Sequence, residues 1–325
     1  LGNREDLVQS GALFEPYDGG LVVDYGYNDR MEITRFDTVR GGDASVLEGN
    51  PMLVEGRSFA FDYDSIGNRS AVTHKRVRLE DAPADQAFNW SANELNQLTS
   101  RENPDFVHVQ GSSVLDSFVT VGFEPDNLKR AVRHGEFFTG AFELRDGTTD
   151  AVYVDDLDLY SVIPDGWIDT DGTTVLGDLI DHQQRAAWLP PTSENFEYDV
   201  RGNLTSDSRW DYTWDGANRL RFIETSATAV TAGVAREKFG YRYDYKGRRV
   251  AKDVYAWTGS AYESGPLETT LYYYDGWNLV YEATYTGVTF AAGVPTAATF
   301  ESEIAYHWGL DWSTSLQGAG GVGGL

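Results

Sequence analysis

Three acidic side chains precede a glycine in one short segment and could coordinate a cation. Asp165, Asp169 and Asp171 alternate with other residues ahead of Gly172, as in the first part of a calcium-binding loop. The segment lacks the Glu that completes an EF-hand, so a solvated acidic turn is the alternative. We predict no cofactor other than a calcium ion held by these three carboxylates.

Other residues with catalytic or metal-binding chemistry are not arranged as an active site requires. The five histidines show no HExxH spacing, and cysteine is absent, which excludes thiol nucleophiles and Cys-ligated metals. No phosphate-binding loop and no GxSxG motif occur. Among 51 acidic residues no pair is singled out for sugar hydrolysis. The sequence therefore predicts that the chain is not an enzyme, with a glycan hydrolase as the least favoured reading.

Aspartates recur instead in a short pattern: an aromatic residue, Asp, two or three residues, then Gly or Asn. Asp begins a β-turn because its carboxylate accepts hydrogen bonds from the amides that follow, and Gly supplies the positive φ that closes a hairpin. Trp90 and Trp308 open weaker relatives of the pattern. The structural residues assigned to the motif are Tyr63, Asp64, Gly67, Tyr198, Asp199, Gly202, Trp214, Asp215, Tyr243, Asp244, Gly247, Tyr274 and Asp275. We expect positive φ at the three glycines.

The segments that flank these turns alternate as strands do, so each unit is predicted to be a strand, a turn and a strand. Such hairpins must stack into a continuous sheet, because one hairpin cannot bury a face alone. The pattern is missing between about 104 and 189, where short apolar alternations predict an inserted β-sandwich with its two ends close together. The predicted domains are 1–103, 104–189 and 190–325, with a short helical turn at 175–181 as the main exception to an all-β chain.

The charge balance limits the partners. The 325 residues include 26 Lys and Arg against 51 Asp and Glu, a net charge of −25, so nucleic acid is disfavoured. Aromatic residues make up 14%, which excludes simple disorder. No apolar run reaches 18 residues, so no membrane-spanning helix is expected. Because the chain begins with Leu1 and no signal peptide, we expect it to be a piece of a longer protein.

The repeat motifs and the end of the chain resemble the YD-repeat, or rearrangement-hotspot (RHS), family. The segments that carry the resemblance are FDYDSIGNR (61–69), NELNQLTS (93–100), FEYDVRGNL (196–204), YTWDGANRL (212–220) and WGLDWSTSLQGAGGVGGL (308–325). The resemblance implies a β-sheet that spirals into a shell around a C-terminal cargo or toxin. Relatives often carry a self-cleaving aspartyl centre beyond the repeats, from which no catalytic residue is transferred here.

The resulting expectation is an all-β, non-enzymatic structural segment of a secreted or cell-surface bacterial protein, with the rest of its own chain as partner. The alternatives are an adhesive or carbohydrate-binding module that contacts a glycan and an extracellular subunit that assembles with copies of itself. At the C-terminus, Tyr306, Trp308, Leu310 and Trp312 alternate with period two and predict a last strand. A Gly-rich exit segment follows that strand.

Overall fold

The structure is a computed structural model that describes residues 6–10, 20–41, 53–79, 84–123, 128–164, 178–291 and 294–309. The chain divides into two compact units, Leu1–Phe196 and Glu197–Leu325. Within the described ranges it is built almost entirely from antiparallel strands. The all-β fold class predicted from the sequence is confirmed.

The first unit contains an eight-stranded repeat sheet, in which the strands follow one another in chain order until the last position. There β7 pairs with β15, and residues 103–192 separate these two strands in the chain. The strands are β1 (Asp6–Ser10), β2 (Gly20–Tyr27), β3 (Ile33–Arg40), β4 (Phe59–Tyr63), β5 (Arg69–Val77), β6 (Ala84–Ala92), β7 (Leu98–Glu102) and β15 (Ser193–Asn195).

A β-sandwich occupies the chain between β7 and β15. Its four-stranded sheet has the order β10-β9-β13-β14, and its three-stranded sheet has the order β11-β12-β8. The strands are β8 (Phe106–Ser112), β9 (Phe118–Gly122), β10 (Lys129–Arg130), β11 (Val132–His134), β12 (Phe137–Glu143), β13 (Val152–Ile163) and β14 (Leu179–Leu189). The predicted helical turn at 175–181 is wrong for its last three residues, which belong to β14.

The core of the sandwich lies between its two sheets. Val119 and Val121 of β9 contact Phe138 and Phe142 of β12, and Leu157 of β13 completes the cluster. These side chains are at most 6% exposed. Removing each large apolar side chain from water contributes roughly 1.5–3 kcal/mol, so this cluster is the main apolar stabilisation of the sandwich.

The two ends of the insert meet at one point. The Asn103 main-chain N–H donates to the Thr192 carbonyl at 2.9 Å, and the Asn103 Nδ2 donates to the Pro191 carbonyl at 2.9 Å. The Arg145 side chain is 1% exposed, donates to the Pro190 carbonyl at 2.6 Å and forms an ion pair with Asp105. The expected closeness of the two ends is confirmed. The division at 104–189 into a domain of its own stays a prediction, because the sandwich and the first repeat sheet lie in one compact unit.

The second unit is a nine-stranded antiparallel sheet whose strands follow chain order without exception. Its strands are β16 (Glu197–Tyr198), β17 (Leu204–Ser206), β18 (Trp210–Trp214), β19 (Leu220–Thr225), β20 (Lys238–Tyr243), β21 (Arg249–Tyr255), β22 (Glu268–Asp275), β23 (Asn278–Ala291) and β24 (Val294–Ala305).

One short helix, α1 (Ala227–Thr231), connects β19 to β20 and is the only helix within the described residues. Ser226 caps it, because its hydroxyl accepts the Ala229 N–H at 3.1 Å. This helix was not predicted, since five residues are too few to show a helical period. No helix in the described ranges has the length and hydropathy needed to cross a bilayer.

Candidate functional site: the rim of repeat turns

Six turns at the ends of the repeat hairpins share one hydrogen-bond geometry. In each, the side-chain oxygen of the first residue accepts the main-chain N–H groups of the third and fifth residues at 2.8–3.1 Å. The main-chain N–H of the first residue donates back to the carbonyl of the fifth. We call these six segments the repeat turns: 28–32, 64–68 and 93–97 in the first unit, and 199–203, 215–219 and 244–248 in the second.

The fourth residue of every repeat turn has a left-handed backbone. The φ angles of Gly67, Gly202 and Gly247 are 95°, 85° and 82°, so the expected positive φ at these glycines is confirmed. The other three turns carry Met31, Asn96 and Asn218 at this position with φ between 58° and 65°. Asn tolerates this region better than most residues, whereas Met does not, and its turn is therefore strained.

The fifth residue completes each turn by pairing with the first, and this pairing was not predicted. Where the first residue is Asp, the fifth is a donor: Asn68 Nδ2 binds Asp64 Oδ2 at 2.9 Å, and Arg248 Nε binds Asp244 Oδ2 at 2.7 Å. Where the first residue is Asn, the fifth is an acceptor, as for Gln97 opposite Asn93 at 2.8 Å. Each turn thus matches a donor to an acceptor four residues apart.

These hydrogen bonds lower the pKa values of the aspartates that begin repeat turns. The side-chain hydrogen bond from Asn203 is the largest cause that lowers the pKa of Asp199. The corresponding bond from Arg219 lowers the pKa of Asp215. A carboxyl that serves as a general acid at neutral pH needs a raised pKa. The pKa values of Asp64, Asp199, Asp215 and Asp244 are shifted in the opposite direction.

Five aromatic residues connect one hairpin to the hairpin before it. In every case the acceptor is the carbonyl of the first residue after the preceding turn. Tyr63 donates to Ile33 O at 2.7 Å, Trp214 to Leu204 O at 2.6 Å, Tyr243 to Leu220 O at 2.9 Å, Tyr274 to Arg249 O at 2.8 Å and Trp308 to Leu279 O at 2.6 Å. The motif aromatics therefore act in the stacking of hairpins.

A second set of bonds runs along the rim from turn to turn. In the first unit, Arg30 donates to the carbonyls of Asp64 and Ser65, each at 2.7 Å, and Asn68 Nδ2 donates to Asn96 Oδ1 at 3.2 Å. In the second unit the same direction holds, from the earlier turn to the later one. Its bonds are Arg201 to Gly216 O at 2.9 Å, Asn203 to Asn218 Oδ1 at 3.1 Å, Arg219 to Asp244 O at 3.2 Å, and Arg248 to Gly276 O.

Two expectations for the motif need correction. Asp275 does not begin a repeat turn: it pairs with Asn278 across a two-residue hairpin, and the left-handed residue is Gly276 with φ 61°. A Gly at the first central position suits this tighter turn. The predicted strand through Tyr306 and Trp308 is also wrong for those residues, because β24 ends at Ala305. Leu310 and Trp312, and the Gly-rich exit segment, lie outside the described residues.

The predicted calcium ligands Asp165, Asp169 and Asp171 also lie outside the described residues. Of the nearby acids, Asp158 is 7% exposed and its Oδ1 lies 2.6 Å from Nε2 of His182, so it is already paired. Within the described ranges, no three His, Cys, Asp or Glu side chains come together as a metal site requires.

Comparison with curated proteins finds sequence similarity over about a quarter of the chain, 27%. No family model matches the chain. The tRNA nuclease WapA of Bacillus subtilis strain 168 is 37% identical over 92 residues, which are 27% of this chain and 3% of WapA. The tRNA3(Ser)-specific nuclease WapA of Bacillus spizizenii is also 37% identical over 92 residues, with the same coverage.

Among solved structures, the crystal structure of TcdB2-TccC3-Cdc42 covers 83% of this chain and 11% of that chain, with 14% identity and a TM-score of 0.30. The crystal structure of TcdB2-TccC3 covers 86% of this chain and 13% of that chain, with 12% identity and a TM-score of 0.28. The fold described above rests on the sheet topology of the chain itself. This chain, then, is an all-β protein with a hydrogen-bonded rim of repeat turns, and it spans about 3% of the length of the curated nucleases to which part of it is similar.

Proposed function

We propose that the chain is a non-enzymatic structural segment of a longer bacterial protein, and that its repeat sheets form part of a wall that encloses or carries a C-terminal cargo. The observation that carries this proposal is the one-way series of hydrogen bonds along the rim. Within each unit the earlier turns donate to later ones, and five motif aromatics donate back to the previous hairpin. Such an arrangement extends a sheet by one hairpin at a time and requires no ligand or substrate.

The chemistry of the motif acids supports a structural role over a catalytic one. Asp64 accepts two main-chain N–H groups and the Asn68 amide, which lower its pKa and occupy both of its oxygens. The same is true of Asp199. A carboxylate held in this way is poorly placed to exchange a proton with a substrate.

The proposal of a longer chain, and of its location, is supported by the resemblance and the coverage. A chain that matches only 3% of the WapA nucleases is proposed to be one section of a protein in which another section carries the activity. The resemblance to YD-repeat proteins favours export to the cell surface or the medium. The proposed partner is the rest of the same polypeptide.

The test uses the full product of the parent gene. Its C-terminal region should resist protease in the intact protein and become at least tenfold more sensitive when the rim is broken by Asp199→Ala, Asp215→Ala and Asp244→Ala together. Asp156→Ala, an exposed acid outside the motif, is the matched control. A C-terminal region that is cleaved equally fast in the intact protein and in isolation would contradict the proposal, as would turnover of polysaccharide, peptide, ester or tRNA by the 325-residue chain.

One observation favours carbohydrate binding as a second candidate. Tyr245 and Trp277 are 89% and 62% exposed on two successive turns, which the Arg248 bond to Gly276 holds side by side. Exposed aromatic faces on a rigid rim can stack on sugar rings. A glycan array that gives no binding, or binding that survives Tyr245→Ala with Trp277→Ala, would remove this candidate.

A further inference from the structure

Basic side chains gather in one groove of the first unit, where β5 of the repeat sheet meets β10, β11 and β12 of the sandwich. The groove contains two adjoining cavities of about 300 and 60 Å³. Both cavities share Arg78 and Val132 in their walls. We call this feature the cationic groove, and its basic residues are Arg76, Arg78, Lys129, Arg130 and His134.

The described residues that line the groove are opposite in charge to the whole chain. Acidic residues outnumber basic ones by 51 to 26 in the chain, whereas the described lining of the two cavities includes four permanent cations and one carboxylate, Glu55. Glu55 is 6% exposed, and its Oε1 accepts the Arg78 main-chain N–H at 2.6 Å. Its carboxylate also lies in the field of Arg78 and Arg76, and the permanent cations of the described lining still outnumber it.

The backbone of β5 is distorted at this groove. The pairing of β5 with β6 shifts register between His74 and Val77, and Arg76 at this bulge has φ 55°. Within the described ranges, the other left-handed residues that are not glycine all occupy the fourth position of a repeat turn, and Arg76 does not. A hydrogen bond from the Arg76 N–H to Asp85 Oδ1 at 2.9 Å holds the bulge. Bulges redirect side chains next to binding sites, and strained backbone is concentrated at such sites.

The remaining walls of the larger cavity are apolar, with Leu79 and Val132 half-buried and the β12 residues buried. Ala141 and Phe142 are each 4% exposed and form part of its lining, while Lys129 and Arg130 are exposed at its side. A wall of low polarity strengthens the attraction between a cation and an anion compared with open water. Arginine also matches carboxylate and phosphate oxygens with two parallel N–H donors.

We propose that the cationic groove is a binding site for a ligand with two or three oxyanion groups, carboxylate or phosphate, with Arg78 at its centre and Arg76, Lys129 and Arg130 around it. The ligand can be a small organic or inorganic anion or the acidic end of a larger molecule. The inference is independent of the proposed wall function, because it concerns neither the repeat turns nor the cargo.

The test is titration of the 325-residue chain with pyrophosphate and, separately, with citrate, followed by NMR and calorimetry at low ionic strength. We expect saturable binding of at least one probe, with shifts at the amides of Arg78 and Val132. Arg78→Gln with Arg130→Gln should weaken it at least tenfold. Binding of pyrophosphate alone assigns a phosphate ligand, citrate alone assigns a carboxylate ligand, and binding of both assigns a general oxyanion site.

Arg185→Gln is the matched control, because Arg185 is exposed on β14 of the same sandwich and lines neither cavity of the groove. Thermal unfolding checks that each variant is folded, and Lys129→Gln provides a milder second variant should the double change fail to fold. Saturation by neither probe overturns the proposal. An equal loss on Arg185→Gln also overturns it, because the attraction would then be unspecific.

Discussion

Val121 in the sandwich is fully buried, whereas on β18 of the second repeat sheet Trp210, Tyr212 and Trp214 are half-buried and the two residues between them are exposed. The sandwich closes an apolar core between two sheets. The described hairpins of the second unit contribute no residue to a buried core cluster, and bonds join them to the hairpins on either side. The comparison shows two ways to stabilise an all-β chain: apolar burial within one sandwich, and hydrogen bonds repeated along a rim.

The largest expected effect is the loss of a core side chain in the sandwich. Phe138 is 6% exposed and packs in the main core cluster, so Phe138→Ala should cost about 3–5 kcal/mol. Hydrogen exchange should show the loss in β8–β14, while the amides of the second unit keep their protection. Equal loss of protection in the second unit would contradict the distinction between the two regions.

A pair of histidines joins the two regions of the first unit. His74 of β5 and His108 of β8 stack with an interplanar angle of 14°, and their Nδ1 and Nε2 atoms lie 3.4 Å apart. Phe59, Phe88 and Phe106 surround the His74 ring. Burial, followed by the charge of His74, lowers the pKa of His108 to about 4. Burial also lowers the pKa of His74.

The second prediction concerns pH. The pKa of His108 is lower in the folded protein than in the unfolded chain, so the folded state favours the neutral ring. The contribution of His108 to the free energy of unfolding is therefore fully present above about pH 6.5 and is lost as the pH falls towards 4. For His108 the loss at pH 4 is roughly 3 kcal/mol, from about 1.4 kcal/mol for each pKa unit. Denaturant unfolding from pH 7 to pH 4 measures it. His108→Phe should flatten the dependence, and an unchanged slope in that variant would assign the effect to other groups.

The third prediction isolates the left-handed backbone of a repeat turn. Gly247 has φ 82° and Gly216 does not have a left-handed φ, and a side chain added at either would meet no atom within 4 Å. Gly247→Val should therefore cost about 1–2 kcal/mol through backbone strain alone, and Gly216→Val should cost much less. Thermal unfolding of both variants measures the difference, and equal costs would refute the role assigned to φ.

Much of the fold was predictable because turn chemistry is local. Asp64 and Gly67 stand three residues apart, and their types indicate a turn without knowledge of what packs against it. The meeting of Asn103 with Thr192 followed from the need of the repeat strands to pair across the insert. The two-residue turn at Asp275 was not predicted, because an aromatic residue and Asp open both kinds of turn, and Gly directly after Asp does not separate them: Gly216 follows Asp215 in a repeat turn.

The contacts between hairpins were beyond the reach of the sequence. The Tyr243 bond to Leu220 depends on the register of neighbouring strands, which a single motif does not specify. The cationic groove is lined by Arg78, the residue after β5, and by Arg130 of β10, which belongs to a different sheet. The pairing within a turn was accessible in principle, since Asn93 with Gln97 and Asp64 with Asn68 show complementary donors and acceptors at a spacing of four.

The smallest expected effect tests this complementarity. Asn28 Nδ2 donates to Glu32 Oε2 at 2.6 Å, so Asn28→Asp places two carboxylates together and should destabilise the first unit by about 0.5–1 kcal/mol at neutral pH. Asp64→Asn is the matched change in the opposite direction, and because an amide can also face Asn68 it should cost less. Adding Glu32→Gln to Asn28→Asp restores a donor opposite the acid and should recover most of the loss. A double-mutant cycle by denaturant unfolding gives the coupling directly. If Glu32→Gln is equally costly with Asn28 and with Asp at position 28, the two residues act independently, and the fifth position is not matched to the first.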